Sequence, residues 1–303
     1  MRILLSVDDD SVLDAVIHAV SWSLPIAKWD EIHVLHVTEP HLFPTAVESR
    51  PMIEDFLSDV VERLSHLPAD IETFTTSADP AQAIVREAEG RDVDLIVMGA
   101  RGEPHDFPLG SVSQKVVSLT DVDVLVVRTP RDADVDLGQR FRALVAVDGS
   151  RGSDAGINSF LDKLRVQHAE THLIHVVESR PLMRVLDSTA PAHVAEGRKR
   201  GEDVLARARR RFEARGVKVE CECCHGSAAS QILESARRLD SQVIVVGSHG
   251  QSRLSSLMLG TITQRVLRNA PCSVLCARGW TPESAAQSLN WTGEGWEPQT
   301  GMA

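Results

Sequence analysis

Tyrosine is absent from this chain of 303 residues, and aromatic side chains together make up 4% of it. That excludes a platform of stacked rings of the kind that holds single-stranded nucleic acid. The cores must be aliphatic. Positive charge is the next shortage: 32 Lys and Arg stand against 43 Asp and Glu, a formal net charge of −11. Nucleic acid and anionic membrane surfaces therefore find no general attraction. No apolar run approaches the roughly 20 residues of a membrane span. The apolar run after Arg2 stops at Asp8-Asp9-Asp10, too soon for a secretory leader. Cysteine is scarce and odd in number (221, 223, 224, 272 and 276), which does not fit a disulfide framework. A cytoplasmic protein with no nucleic-acid or membrane partner is the expectation.

What is present is an alternation. Apolar runs at Ile3–Val7, Glu31–Val37, Ile71–Thr75, Leu95–Met98 and Val124–Val127 read as strands. Between them lie helical stretches: from about Ser11 to Pro25 with Asp10 or Ser11 as cap, near Pro51–Leu67, after Asp79-Pro80, and from Gly110-Ser111. Strands that are apolar throughout, alternating with helices, predict an α/β fold with a parallel sheet covered on both faces.

The order then repeats. Arg142–Val147 runs into Asp148 as Ile3–Val7 runs into Asp8. His175-Val176 matches His36-Val37, Val246-Gly247 matches Met98-Gly99, Gly260-Thr261 matches Gly110-Ser111, and Leu275–Arg278 matches Leu125–Arg128. A period of roughly 140–150 residues is a duplicated domain, since solenoid repeats run to roughly 20–50. The divisions expected are a first domain over 1–130, a polar linker over 131–140, a second domain over 141–279, and a Gly/Ser/Thr-rich tail with three Trp over 280–303.

In the second copy the fourth strand meets Gly247, Gly250 follows, and nine residues later Gly260-Thr261 opens a helix. A buried strand, a glycine-bearing loop and a helix N-terminus together suit phosphate binding at the edge of a parallel sheet. This G-x2-G-x9-G-[ST] loop, with Asp148 upstream, the His175-Val176 strand end and the internal duplication, resembles the universal stress protein family in its tandem form. The resemblance covers both halves and leaves out the tail. It implies two tandem open parallel five-stranded sheets flanked by helices, the adenine-nucleotide α-hydrolase-like fold. It further implies that Val124–Val127 and Ser273–Cys276 pair with each other, so that the chain forms its own pseudo-dimer. Many members bind ATP and some hydrolyse it slowly, whereas others lack the loop and bind none.

What the resemblance implies for ATP, with or without Mg²⁺, falls on Asp148, Val176, Val246, Gly247, His249, Gly250, Arg253, Gly260, Thr261 and Ile262. Val176 would offer backbone groups to adenine, and Asp148 would accept from ribose or stand near a phosphate-bound cation. Gly247 and Gly250 would tolerate positive φ and admit phosphate to the backbone. Gly260, Thr261 and Ile262 would present unpaired N–H groups. His249 and Arg253 lie within reach of the β/γ end. For Asp148, a turn or capping role for Gly149-Ser150 is an open alternative, and His249 reads as a solvated loop histidine before a catalytic one.

The first copy carries Asp8, Val37, Met98, Gly99, Gly102, Gly110, Ser111 and Val112 at the matching places. Only seven residues separate Gly102 from Gly110. Pro104 and Pro108 remove N–H donors there, and Glu103 and Asp106 add negative charge. This is a weaker site, one for another ligand, or none. No metal-ligand spacing stands out: Cys221 and Cys223 share one strand face and Cys224 the other, so the cluster reads as small apolar residues. His36 and His175 read as strand-end histidines satisfied by neighbours. The arginines of 198–215 read as a solvated helix face, or as an anion-binding face or a docking surface for an unknown protein partner. No Walker A or pyrophosphatase loop and no evident Ser-His-Asp arrangement is present. The function expected is an ATP-binding stress or regulatory protein with slow hydrolysis at most. A nucleotide-independent interaction module is the alternative, and homodimerisation stays open.

Overall fold

A computed structural model of the chain describes residues 1–8, 12–38, 46–100, 109–128, 141–178, 190–248 and 259–278, with backbone alone at 46–50 and 190–194. In the first half, β1 (Arg2–Val7), α1 (Leu13–Ser23), β2 (Glu31–Thr38), α2 (Ala46–Leu64), β3 (Asp70–Ser77), α3 (Pro80–Gly90), β4 (Leu95–Gly99), α4 (Ser111–Leu119) and β5 (Asp123–Val127) follow in order. The second half repeats them: β6 (Phe141–Ala146), α5 (Arg151–Lys163), β7 (Ala169–Glu178), α6 (Ala190–Glu213), β8 (Val219–Gly226), α7 (Ala228–Arg238), β9 (Val243–Gly247), α8 (Thr261–Asn269) and β10 (Ser273–Ala277).

The strands form one sheet of ten rather than two separate sheets of five, in the order β3-β2-β1-β4-β5-β10-β9-β6-β7-β8. Every pairing is parallel except the central one. There β5 and β10 run antiparallel, with Val126 opposite Val274, Leu125 opposite Leu275 and Val124 opposite Cys276. This is the strand pairing that the resemblance implied, and it has a physical cause. Both strands are buried on both faces, so an unpaired edge on either would leave a row of backbone N–H and C=O groups without water.

Apolar layers lie on both faces and run across the junction. One joins Ile3, Leu5, Val97 and Leu125 to Val145, Phe160, Phe212 and Leu275. The other joins Leu4, Ile96, Val116 and Val126 to Ile174, Ile232, Val266 and Val274. Cys221 and Cys223 pack with the first layer and Cys224 with the second, as strand alternation requires.

Local chemistry sets the element ends. Asp79 caps α3, its carboxylate accepting from Gln82 N–H at 3.1 Å, with Pro80 at the first helical position. α2 begins earlier than its periodicity indicates and takes Pro51 inside, where the ring forgoes one backbone bond. α1 starts at Leu13, and its expected caps Asp10 and Ser11 lie outside the described residues. So do the linker and the tail.

Candidate functional site

In the second half β6 has β7 on one side, reached directly through α5, and β9 on the other, reached only after β8. The carboxyl ends of β6 and β9 therefore bound the crevice where an open parallel sheet takes its ligands. Asp148 stands just past β6, and its Oδ1 accepts from Ser150 N–H at 2.9 Å. That bond closes a tight turn through Gly149, whose φ of +76° few other residues adopt without strain. Ser150, not Asp148, caps α5, with Oγ accepting from Ser153 N–H at 3.1 Å.

His175 fixes the neighbouring strand end: its Nδ1–H donates to the Val147 carbonyl at 2.8 Å. His36 does the same to Val7 at 3.1 Å in the first half. Both are thus strand-end histidines satisfied by neighbours. Val176 is half-buried beside this lock.

On the other side of the crevice, β9 ends in Val246 and Gly247, and Ser248 follows. Ser248 N–H donates to Ala277 O, and Gly260 N–H donates to Ser248 O, each at 2.8 Å. The latter bond ties the two ends of the glycine loop together. Thr263 Oγ1 then donates to Gly247 O at 2.7 Å, anchoring the first turn of α8 to the strand it faces. Gly260 is the cap residue of α8 and supplies no side chain. Among the described residues, no acceptor takes the N–H groups of Thr261, Ile262 or Thr263. These are three converging donors at the positive end of a helix dipole.

Two expected roles are corrected here. Gly260 N–H is not an open donor, because Ser248 O takes it. Gly247 does not adopt positive φ. A Cβ on it would instead overlap the Gly152 backbone of α5, so glycine is needed there for helix-on-strand contact. Gly156, one turn on, also lies against β9, with the nearest atom 3.6 Å from where its Cβ would stand. The Gly152-x3-Gly156 spacing is the sequence trace of a helix face stripped of side chains, though not of the strand it meets. His249, Gly250 and Arg253 lie outside the described residues.

The first half keeps the frame with changes. Ser113 Oγ donates to Gly99 O at 2.9 Å, as Thr263 does to Gly247. Val12 replaces Gly152 and crowds Gly99 from the α1 side. No bond between Gly110 N–H and Ala100 O, the counterpart of Gly260 to Ser248, occurs among the described residues. Asp8 is exposed, Val37 and Val112 are half-buried, Met98 is buried, and Ser111 opens α4. Gly102 is outside the described residues. A cleft of about 540 Å³ runs beside α4, lined by Asp79, Gln82, Ser111, Gln114 and Lys115. It includes neither Asp8 nor Val37, so it is not the strand-end crevice.

The basic helix is partly paired. On α6, Arg211 pairs with Asp154 at 2.6 Å and also reaches Asn158, Arg198 pairs with Glu202 at 3.0 Å, and Arg200 pairs with Glu196. Arg215, just past its end, pairs with Asp162 at 2.9 Å. Gly201 lets the helix ride over β7 and β8, where a Cβ would come within 2.6 Å of His175 Cδ2 and 2.9 Å of Cys223 Sγ.

The universal stress protein family matches this chain twice, over residues 1–128 and 140–278. The chain belongs to that family. A universal stress protein of Mycolicibacterium smegmatis is 25% identical over 295 residues, covering 91% of this chain and 96% of its own length. The Bacillus subtilis universal stress protein YxiE, 31% identical over 147 residues, covers 98% of itself and 45% of this chain, so one such protein corresponds to one half. Among solved structures, a universal stress protein from Archaeoglobus fulgidus superposes with a TM-score of 0.64 at 24% identity, over 92% of this chain and 98% of that one. The tandem form and the α/β fold follow. Among the described residues, no helix is long and apolar enough to cross a membrane.

Proposed function

We propose that this universal stress protein binds ATP in its second half, at the crevice between β6 and β9, and serves a stress-linked regulatory role. The observation that carries the proposal is the N-terminus of α8. Thr261, Ile262 and Thr263 N–H groups converge beside a loop whose ends are tied by the Gly260-to-Ser248 bond, with Asp148 across the crevice. Phosphate oxygens satisfy such donors without a buried counter-charge. The Val176 backbone would meet the adenine edge. No cluster of three or more His, Cys, Asp or Glu able to hold a metal occurs among the described residues. Mg²⁺ would arrive with the phosphates, with Asp148 the nearby carboxylate. The first half, which lacks the loop-tying bond, is the weaker site.

His175 donates from Nδ1 to Val147 O, and Gly201 lies against the Cδ2–Nε2 edge of its ring, so this histidine serves as a strand-end lock. Turnover should stay below about 1 s⁻¹, the low end of ordinary enzyme rates. The test is nucleotide extraction from freshly purified protein followed by calorimetry with ATP. Stoichiometric ATP or AMP, or binding weakened by Thr261→Asp through charge repulsion at the helix N-terminus, supports the proposal. Absence of both bound nucleotide and calorimetric binding overturns it in favour of a nucleotide-independent interaction module.

A further inference from the structure

We propose that Arg128, at the end of the first half, is a positioning residue for the phosphate-facing helix of the second half. This rests on the ATP reading of α8 given above. The antiparallel pairing of β5 and β10 sends each strand end out over the opposite half. Arg128 N–H donates to Ser273 Oγ at 3.2 Å, and its Nη2 reaches across to the carbonyls of Leu267 at 2.8 Å and Arg268 at 3.4 Å, in the last turn of α8. Arg278 mirrors it, with Nε to Thr120 O at 2.5 Å and Nη2 to Ser118 O at 3.4 Å, at the end of α4. Each strand-end arginine thus grips the C-terminus of the helix whose N-terminus opens the other half's glycine loop.

The two grips are not equivalent. α4 closes on its own backbone, Thr120 N–H donating to Val116 O at 3.0 Å. α8 has no such bond at its cap residue Ala270. Pro271 follows, pushes Ala270 into extended backbone and brings no N–H of its own. The last carbonyls of α8 are therefore left to a cation supplied by the other half. Arg128 is largely withdrawn from water, and burial lowers its pKa. Its Nε is buried without a partner among the described residues, so its matching charge is the negative end of the α8 dipole. With nine residues, α8 is a rod of about 13 Å. It is held at one end by Arg128 and at the other by the Thr263-to-Gly247 bond. Releasing the first end lets the donors at Thr261 and Ile262 wander.

The experiment uses the full chain with Arg128→Met, Arg128→Lys and Arg165→Met. The last removes another cross-half bond, Arg165 Nε to Leu24 O at 2.7 Å, without touching α8. Calorimetry with ATP and with adenosine is combined with amide hydrogen exchange over α8. Arg128→Met should weaken ATP about three- to tenfold, the scale of a lost helix-end interaction. It should leave adenosine binding unchanged and speed α8 exchange in the nucleotide-free protein. Lys should restore part of both, and Arg165→Met should move neither. Unchanged α8 exchange in Arg128→Met, or equal effects from Arg165→Met, overturns the inference. If the wild-type chain binds no ATP, the ATP proposal alone fails and the exchange comparison still decides the role of Arg128.

Discussion

Cys272 and Cys276 flank and occupy the strand that joins the halves, and both are buried. Burial pushes each thiol up to about 12 from an ordinary 9. At pH 8 about one molecule in ten thousand then carries either thiolate, and the thiolate is the nucleophile. Cys224 is held up near 11 by burial and then by Glu222. The sign for stability follows from linkage. A thiol raised in the folded state contributes stability that is intact below pH 9 and is lost as pH climbs from 9 towards 12, where the unfolded chain ionises first. Native protein at pH 8 should therefore resist iodoacetamide at Cys272 and Cys276, and both should label at once in urea. The melting temperature should fall between pH 9 and 12, and less steeply in Cys272→Ala. Rapid labelling of either residue in the native state would contradict this.

Among the elements, the α5–β9 contact shows best what the sequence disclosed and what it withheld. Gly247 was legible as special and its reason was not, because the partner atom belongs to Gly152, 95 positions earlier in the chain. Only the fold reveals that the missing Cβ makes room for helix backbone. Gly247→Ala should cost about 3 kcal/mol through overpacking, since neither backbone can rotate aside. Urea denaturation measures that cost, and loss of ATP binding in this variant would report a shifted α5. The corresponding Gly99→Ala in the first half meets a Val12 side chain instead, and should cost less, about 1 kcal/mol. Strands, helices and the duplication were readable because continuous apolar runs and the Asp79-Pro80 start obey local rules. The Asp148-to-Ser150 turn, the Gly260-to-Ser248 tie and the grip of Arg128 on α8 depend on segments far apart or on hydrogen-bond choices that composition does not encode.

At the scale of the whole molecule, the junction is built for unlike halves. Asp123, at the start of β5 and buried, accepts from Lys163 Nζ at 2.5 Å and from Arg278 N–H at 2.7 Å, while Lys163 Nζ also meets Asp94 O at 2.7 Å. The positions related by the duplication hold Ser273 in place of Asp123 and Ser23 in place of Lys163. Pairing two first halves would set a buried carboxylate against Ser23, and pairing two second halves would set an ammonium against Ser273. Either arrangement strands a charge in the interface. Trp22 against Phe141, with ring centroids 4.7 Å apart, adds a contact that only unlike halves can make. Removing one partner of a mostly buried ion pair costs more than removing both. Lys163→Met should therefore destabilise the chain by about 2 kcal/mol, at the low edge because Lys163 keeps a fifth of its side chain exposed. Adding Asp123→Asn should recover most of that loss, since the amide oxygen can still accept from Arg278 N–H. A double-mutant cycle read by urea denaturation separates the two cases. If the effects of the two single changes simply add, the Asp123–Lys163 pair does not select between like and unlike halves, and selection must rest on the aromatic contact.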